Sequence, residues 1–471
     1  MKKTKVGILT FSDGRDYIHK SLVDLNWKYQ RGIAAALEKT GLVEVVQGEE
    51  IVWNNETANQ EGRRLAAAGC DLTILNYAIW CYPHLSAMAT RFAPGPFLLF
   101  CNVHPSEPGM VGMLAAAGTM DQLGEKYTRV WGDINDPEVL AKVLSFIRAA
   151  GALSKLRGQT YGLFGGRPLG MYTAVANLDE WSKIFGLDVE HIEQEDLVRQ
   201  SAKVDPARIE AGFQWLTKHV GEIRYDGDGL TPEKLKLQIA SYHAYRDIIA
   251  ERKLDFVGTK AHGDLTDKFV TVDIAEAFLN DPYDWEGPHE PIVAATEADM
   301  DGALTMQLFK HITGEPVLFA DVRHYDKDDD VWYFSNSGTH ATYFAGRSMD
   351  PAVNLKNVTF YPEKNYYPAG GASVHHFAAP GRVTLARFAR KNGRYWLAIV
   401  QAEFVEFPRE VALQKGSTVT PEWPIAFARL KSSPDEFLST FPCNHIHGCY
   451  GDWTAEFLHL AAILGIESKI Y

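Results

Sequence analysis

Long apolar runs are missing from this sequence. No window approaches the ~18 consecutive apolar residues that a membrane-spanning helix needs. The apolar stretch nearest the start, Val6–Leu9, is far too short for the hydrophobic region of a secretion signal. A cytoplasmic chain with no membrane partner is the expectation. Cysteine is scarce as well. Cys70, Cys81, Cys101, Cys443 and Cys449 are odd in number and lack the close pairs of a zinc site. Reduced, mostly buried thiols are therefore expected. An excess of positive charge is also absent: 47 Lys and Arg stand against 60 Asp and Glu, a net charge of -13. A phosphate backbone demands dense basic surface, so a nucleic-acid partner is not expected.

What remains is the make-up of a large globular protein, with 46% hydrophobic and 23% charged residues. Its 471 residues suffice for two or three domains. "KVGILTF" (5–11), "DLTILNYAIW" (71–80) and "GPFLLFCNV" (95–103) read as buried strands, and residues 21–41 as an amphipathic helix closed by Gly41. Strands alternating with helices point to a parallel, doubly wound sheet, in which ligands sit at the carboxyl ends of strands. "SDGRD", "YAIWCYPH" and "NVHPSEPG" fall at such ends. A second unit of the same kind starts near "GQTYGLFGGRPLGM" (158–171) and runs through "LDFVGTKAHGD" (254–264) to "EPIVAATEADM". The glycine-rich "GLFGGRPLG" fits neither the dinucleotide fingerprint nor the P-loop spacing, and reads as a tight turn.

After about residue 313 the pattern becomes β-rich. "RKNGRY" carries an Asn-Gly hairpin signal between apolar runs. The last segment, 451–466, reads as a helix. The expected architecture is α/β: two doubly wound parallel-sheet domains at 1–155 and 156–312, then an antiparallel β domain with a terminal helix at 313–471.

Three polar groups stand at the ends of apolar runs: Glu297 after "IVAAT", Asp321 after "VLFA", and His445 in "PCNHIHGCYGDW". Two carboxylates and an imidazole suit a hard divalent cation, Mn2+ or Mg2+ rather than Zn2+. On spacing alone, a helix-capping glutamate, a turn aspartate and a hydrogen-bonded core histidine account for them more simply.

Several stretches together resemble the L-fucose isomerase family, which is related to the L-arabinose isomerases. "GILTFSDGR" is similar to the family's strand-plus-loop, with Arg15 in the substrate-contacting position, and "AIWCYPH" puts Trp80 in register. "PIVAATEADMDGALTMQLFKHITGEPVLFADVRHY" resembles the metal-binding run, with the interval from Glu297 to Asp321 preserved. "FSNSG", "GGASVHHF", "WLAIVQAEFVEFP", "EWPIAF" and "CNHIHG" follow in family order. The resemblance implies an aldose–ketose isomerase working through an ene-diol. It makes Glu297 and Asp321 the acid–base pair, and Glu297, Asp321 and His445 the ligands of Mn2+, with Mg2+ or Co2+ as alternatives. Asn444, Ser337, Trp423, Trp80 and Arg15 become sugar contacts. It also implies a homo-oligomer, a hexamer or trimer of dimers, whose shared sites take Arg15 and Trp80 from a neighbouring copy.

"GTKAHGD" departs from the family. Lys260 and His262 replace a glutamine-rich segment, and "SVHH" adds His375 and His376. A cationic pocket would suit a C6-anionic hexose such as sulfoquinovose, against a default of L-fucose, D-arabinose and similar neutral sugars. A sugar-binding module and a metal-dependent lyase or epimerase are the competing readings.

Overall fold

The computed structural model describes residues 3–337, 339–364 and 366–471. The chain forms two compact units, Met1–Lys155 with Ala455–Gly465, and Leu156–Thr454 with Ile466–Tyr471. Among the described residues no helix is long and apolar enough to cross a membrane. All five cysteines are free, and four of them are buried.

The first unit is built on a five-stranded parallel sheet of β1 (Thr4–Phe11), β2 (Val43–Gln47), β3 (Leu72–Tyr77), β4 (Phe97–Cys101) and β5 (Tyr127–Trp131), in the order β2-β1-β3-β4-β5. β3 and β4 are buried along their whole length, as strands covered on both faces must be. The order reverses between β1 and β3, the switch point at which such sheets bind ligands. The loops carrying Arg15 and Trp80 leave those two strands at their carboxyl ends. The first helix runs Asp16–Lys39, starting earlier than its apolar periodicity suggests, and Gly41 follows in the left-handed region at φ 69°. The helix Gly109–Leu123 packs so closely on the segment leaving β3 that a Cβ at Gly112 would stand 2.5 Å from the Ile79 carbonyl oxygen.

The second unit opens with β6 (Thr160–Phe164), β7 (Asp188–Ile192), the short β8 (Glu222–Ile223), β9 (Phe256–Thr259), the hairpin β10 (Tyr283–Asp284) and β11 (Gly287–Pro288), and β12 (Ala294–Thr296). β6, β7, β9 and β12 form a parallel sheet in the order β12-β9-β6-β7. Gly165, Lys260 and Glu297 each follow the last residue of one of these strands, so they share its carboxyl edge.

The remaining strands are β13 (Leu318–Asp326), β14 (Val331–Ser335), β15 (Thr359–Pro362), β16 (Ala372–His375), β17 (Gly381–Lys391), β18 (Arg394–Phe404), β19 (Ile425–Leu430), β20 (His445–Tyr450) and β21 (Glu467–Ile470). β17, β20, β13, β14, β19 and β18 pair antiparallel in that order, and β18 pairs back onto β17. The ring closes into a six-stranded barrel, which leaves no free edge within it. β21 adds to β18 in parallel. The hairpin joining β17 to β18 turns at Asn392 and Gly393, both at positive φ, as the Asn-Gly signal requires. The terminal helix, Thr454–Leu464, contributes Ala455–Leu464 to the first unit, where Arg148 meets Glu456 at 3.2 Å.

Gly112→Ala tests the close helix contact in the first unit. A helical alanine ordinarily gains about 1 kcal/mol over glycine. Here the obstacle is rigid backbone, so overpacking wins and the unit loses about 1–3 kcal/mol. The expected result is a lower midpoint in urea unfolding; an unchanged or higher midpoint would refute the close approach.

Candidate active site

β12 ends at Thr296, and the chain turns through two successive left-handed residues, Glu297 at φ 59° and Ala298 at φ 50°. Non-glycine residues pay about 1–2 kcal/mol each for that conformation. The turn is pinned by the Ala298 amide donating to the Thr259 carbonyl at 2.8 Å. Asp299 then caps the helix Met300–Thr313, its Oδ1 accepting from the Gly302 amide at 2.9 Å. Glu297 is thereby lifted off the sheet's carboxyl edge with its side chain 11% exposed.

Barrel strands supply the other two groups. Asp321 on β13 and His445 on β20 are cross-strand partners. The carboxylate of Asp321 accepts from Asn336 Nδ2 at 2.8 Å and Asn444 Nδ2 at 3.0 Å. His445 Nε2 lies 3.2 Å from Glu297 Oε2 and 3.5 Å from Asp321 Oδ1. The three residues singled out in the sequence thus meet at one point. Burial pushes the Asp321 carboxyl above its ordinary range, partly offset by the charge of His445. Burial alone would push His445 down, but its hydrogen bond to Asp299 and the neighbouring Glu297 and Asp321 carboxylates hold it well above the usual imidazole range.

Behind His445 stands a residue that sequence reasoning missed. Asp299 Oδ2 accepts from His445 Nδ1 at 2.7 Å, and the same carboxylate is gripped by both arms of Arg387, one of them at 3.0 Å. Asp299 and Arg387 are both fully buried. Burial disfavours the Asp299 anion, yet Arg387 and His445 outweigh it and hold the carboxyl well below its usual range. Arg387 Nη1 also donates to His447 Nε2 at 3.1 Å, and burial, with the Arg387 charge, holds His447 well below the usual imidazole range. Two signals for this pair were present: Asp299 stands three residues before Gly302 at the start of a helical pattern, and Arg387 interrupts a run of strand residues. Tyr367 was missed too. Its phenol lies 3.5 Å from His262 Nε2, and that imidazole nitrogen is 4.0 Å from Glu297 Oε1.

The other expected contacts divide. His262 therefore borders the cluster, its Nδ1 bonded to the Lys260 carbonyl at 2.9 Å. Asn444 holds Asp321 directly. Ser337 is buried and donates to Asn336 Oδ1 at 3.1 Å, one step from Asp321. Trp423 is nearly buried, its indole N–H donating to Glu363 Oε2 at 2.6 Å. Lys260 pairs with Asp264 at 3.7 Å and lines a cavity of about 530 Å3 shared with Gly165, Gly166, Gln194 and Lys268. Arg15 and Trp80 lie in the first unit; Arg15 is held by Asp13 at 2.6 Å with its side chain 48% exposed. His375 and His376 do not form a cationic cluster. His375 donates from Nδ1 to the Trp423 carbonyl, and burial pushes it down to about 4. His376 is likewise held neutral by burial.

Among the described residues no group of three or more His, Cys, Asp and Glu side chains stands arranged to hold a metal ion. The chemistry of Glu297, Asp321 and His445 nevertheless suits a hard divalent cation. His445 Nε2 is buried without a hydrogen-bond partner, and two carboxylates flank it. Those spacings are close to the roughly 3 Å expected between adjacent ligands in an octahedron with bonds of about 2.1 Å. The carboxylate behind the imidazole is the usual support of a metal-binding histidine.

Comparison with known proteins agrees with this architecture. The chain matches the family models for the first N-terminal domain of L-fucose isomerase over residues 3–158, the second N-terminal domain over 250–314, and the C-terminal domain over 334–471. The L-fucose isomerase of Haemophilus influenzae (strain PittEE) is 23% identical, over 98% of this chain and 92% of that one. Those of Citrobacter koseri and Klebsiella pneumoniae subsp. pneumoniae are 24% and 25% identical, over 99% of this chain and 94% of theirs. Among solved structures, a glucose-galactose binding protein from Geobacillus stearothermophilus is 13% identical, over 67% of this chain and 93% of that one. Its TM-score of 0.15 carries no argument. The class of protein is thus an enzyme, an aldose–ketose isomerase. The chain belongs to the L-fucose isomerase family.

The buried neutral imidazoles give the second unit a measurable acid sensitivity. His340 is pushed down to about 3 by burial. Between that value and the unfolded value near 6.5 the unfolded chain binds a proton that the folded chain refuses. Stability is therefore present above about pH 6.5 and is lost as pH falls toward 3, by up to about 1.4 kcal/mol per unit for this group. Urea unfolding at pH 7, 6 and 5 should show a shallower acid loss in His340→Phe than in the parent. Parallel curves would mean that His340 is protonated in the fold.

Proposed function

We propose that the protein is a divalent-cation-dependent isomerase of neutral aldoses resembling L-fucose and D-arabinose, with Glu297, Asp321 and His445 as the cation's ligands. The supporting observation is His445 Nε2, buried without a hydrogen bond and flanked by the Glu297 and Asp321 carboxylates at 3.2 and 3.5 Å. Mn2+ suits the donor set best, with Mg2+ and Co2+ as alternatives. A cation bound there supplies electrostatic stabilisation of the negative charge that develops on O1 and O2 as an ene-diol forms.

The rest is work for side chains. Glu297 takes the proton from C2 and returns it to C1. Asp321, fixed by Asn336 and Asn444, carries the hydroxyl proton between O1 and O2. The left-handed turn at Glu297 keeps its carboxylate off the sheet and facing the barrel residues, so little reorientation is needed before transfer. His262, Ser337 and Asn444 border the cluster and offer hydrogen bonds to sugar hydroxyls. Trp423 offers an aromatic face, and Lys260 belongs to the adjoining cavity. Arg15 and Trp80, at the switch point of the first unit, are proposed to serve the site of a neighbouring copy in a homo-oligomer. Exposed Met110, Val111 and Leu114 on one helix of that unit support such an assembly.

The pairing of Lys260 with Asp264 and the neutrality of His375 and His376 favour a neutral sugar over sulfoquinovose. The test is metal-stripped protein resupplied with Mn2+ in D2O and given L-fucose, D-arabinose and sulfoquinovose separately, with ketose formation and C2 exchange followed by proton NMR. Turnover of the neutral sugars is expected. Turnover of the sulfonate sugar alone would reverse the substrate assignment, and epimerisation without ketose would reverse the reaction. Glu297→Gln should lower kcat by about 10²–10⁴-fold; near-normal turnover would remove Glu297 from the proton path.

A further inference from the structure

Resting on that cation-dependent reading, the geometry points to Asp299 and Arg387 as positioning residues. They fix the proton of His445 on Nδ1 and leave Nε2 as the lone-pair donor toward a divalent cation. Asp299 touches neither of the two carboxylates at the front of the site and acts through the imidazole. Its Oδ2 faces His445 Nδ1 at 2.7 Å, and an anion in that place selects the tautomer protonated there.

The carboxylate cannot be imitated by an amide. Oδ1 accepts from the Gly302 amide at 2.9 Å and from Arg387 Nη2 at 3.0 Å, while Oδ2 accepts from His445 and Arg387 Nη1. Four donors converge on two oxygens, so an amide group would set its own N–H2 against a donor in either orientation. Arg387 is held in turn. Nη2 donates to the Thr173 carbonyl at 2.9 Å and Nη1 to His447 Nε2 at 3.1 Å. With its Nε2 committed to the guanidinium, His447 is removed as a rival ligand two residues from His445. A fork is required, because a lysine ammonium has no planar pair of donors for both carboxylate oxygens.

The test is Mn2+ affinity of metal-stripped protein, read from the free-ion EPR signal, with kcat measured separately at saturating Mn2+. Asp299→Asn alone would leave Arg387 buried and unpaired, so the principal variant is Asp299→Asn with Arg387→Met. Asparagine retains a good helix cap, and methionine fills the arginine stem. The double variant, shown folded by circular dichroism without metal, should bind Mn2+ about 10–100-fold more weakly than the parent, with kcat recovering substantially at saturating Mn2+. Arg387→Lys, which keeps the charge, should fall between the two. Binding within twofold of the parent, in the folded double variant or, should that fail to fold, in Arg387→Lys, would overturn the proposal and leave the pair as a structural link. A parent protein that takes up no Mn2+ at all would overturn the cation-dependent reading itself, an outcome distinct from equal binding by parent and variant.

Discussion

The Asp299 carboxylate is the contact on which the second unit's site depends. It caps a helix through Gly302, binds a barrel strand through Arg387, and holds a second barrel strand through His445. Three segments that are remote in sequence are thereby fixed around one buried anion. Burying such a pair costs several kcal/mol of solvation per ion, and well-packed apolar side chains commonly do as well for stability alone. What apolar packing cannot do is choose a tautomer. The ion pair makes physical sense as a device for orientation: it stiffens the imidazole that meets the two carboxylates in front of it.

The same logic explains the strained turn. A glycine at 297 would adopt a positive φ without cost but would bring no carboxylate. The chain instead keeps Glu297 and Ala298 in the left-handed region and holds them with a hydrogen bond to the neighbouring strand on one side and a capped helix on the other. Strain of this kind persists only where the surroundings over-determine it. It separates the direction of Glu297 from the alternation of its strand, which would otherwise dictate where the side chain points.

Legibility in the sequence followed the range of the interaction. Strands of the parallel sheets were readable because burial on both faces gives continuous apolar runs, and the hairpin at Asn392 because its turn chemistry is local. Glu297, Asp321 and His445 were readable because a charged or polar residue ending an apolar run is conspicuous. Closure of the barrel was not, since nothing local in β17 states that it pairs with both β18 and β20. Asp299 and Arg387 are 88 residues apart, and each has a bland local explanation, a helix cap and an outward-facing strand residue.

Charge balance around the cluster bears on the substrate. Glu297 and Asp321 at the front and Asp299 behind are set against one buried guanidinium and one imidazole. Glu276, buried at the back with its carboxyl pushed up to about 8 by burial, adds no charge at neutral pH. The surroundings are therefore short of positive charge at the front, where a cation would make up the difference and where an anionic sugar would be repelled until one was bound. A neutral polyol meets no such barrier. Asn444 and Ser337, beside the cluster, are uncharged groups that both donate and accept hydrogen bonds. The electrostatics that suit the proposed divalent cation follow from placing two carboxylates beside an imidazole whose far side is already committed to Asp299.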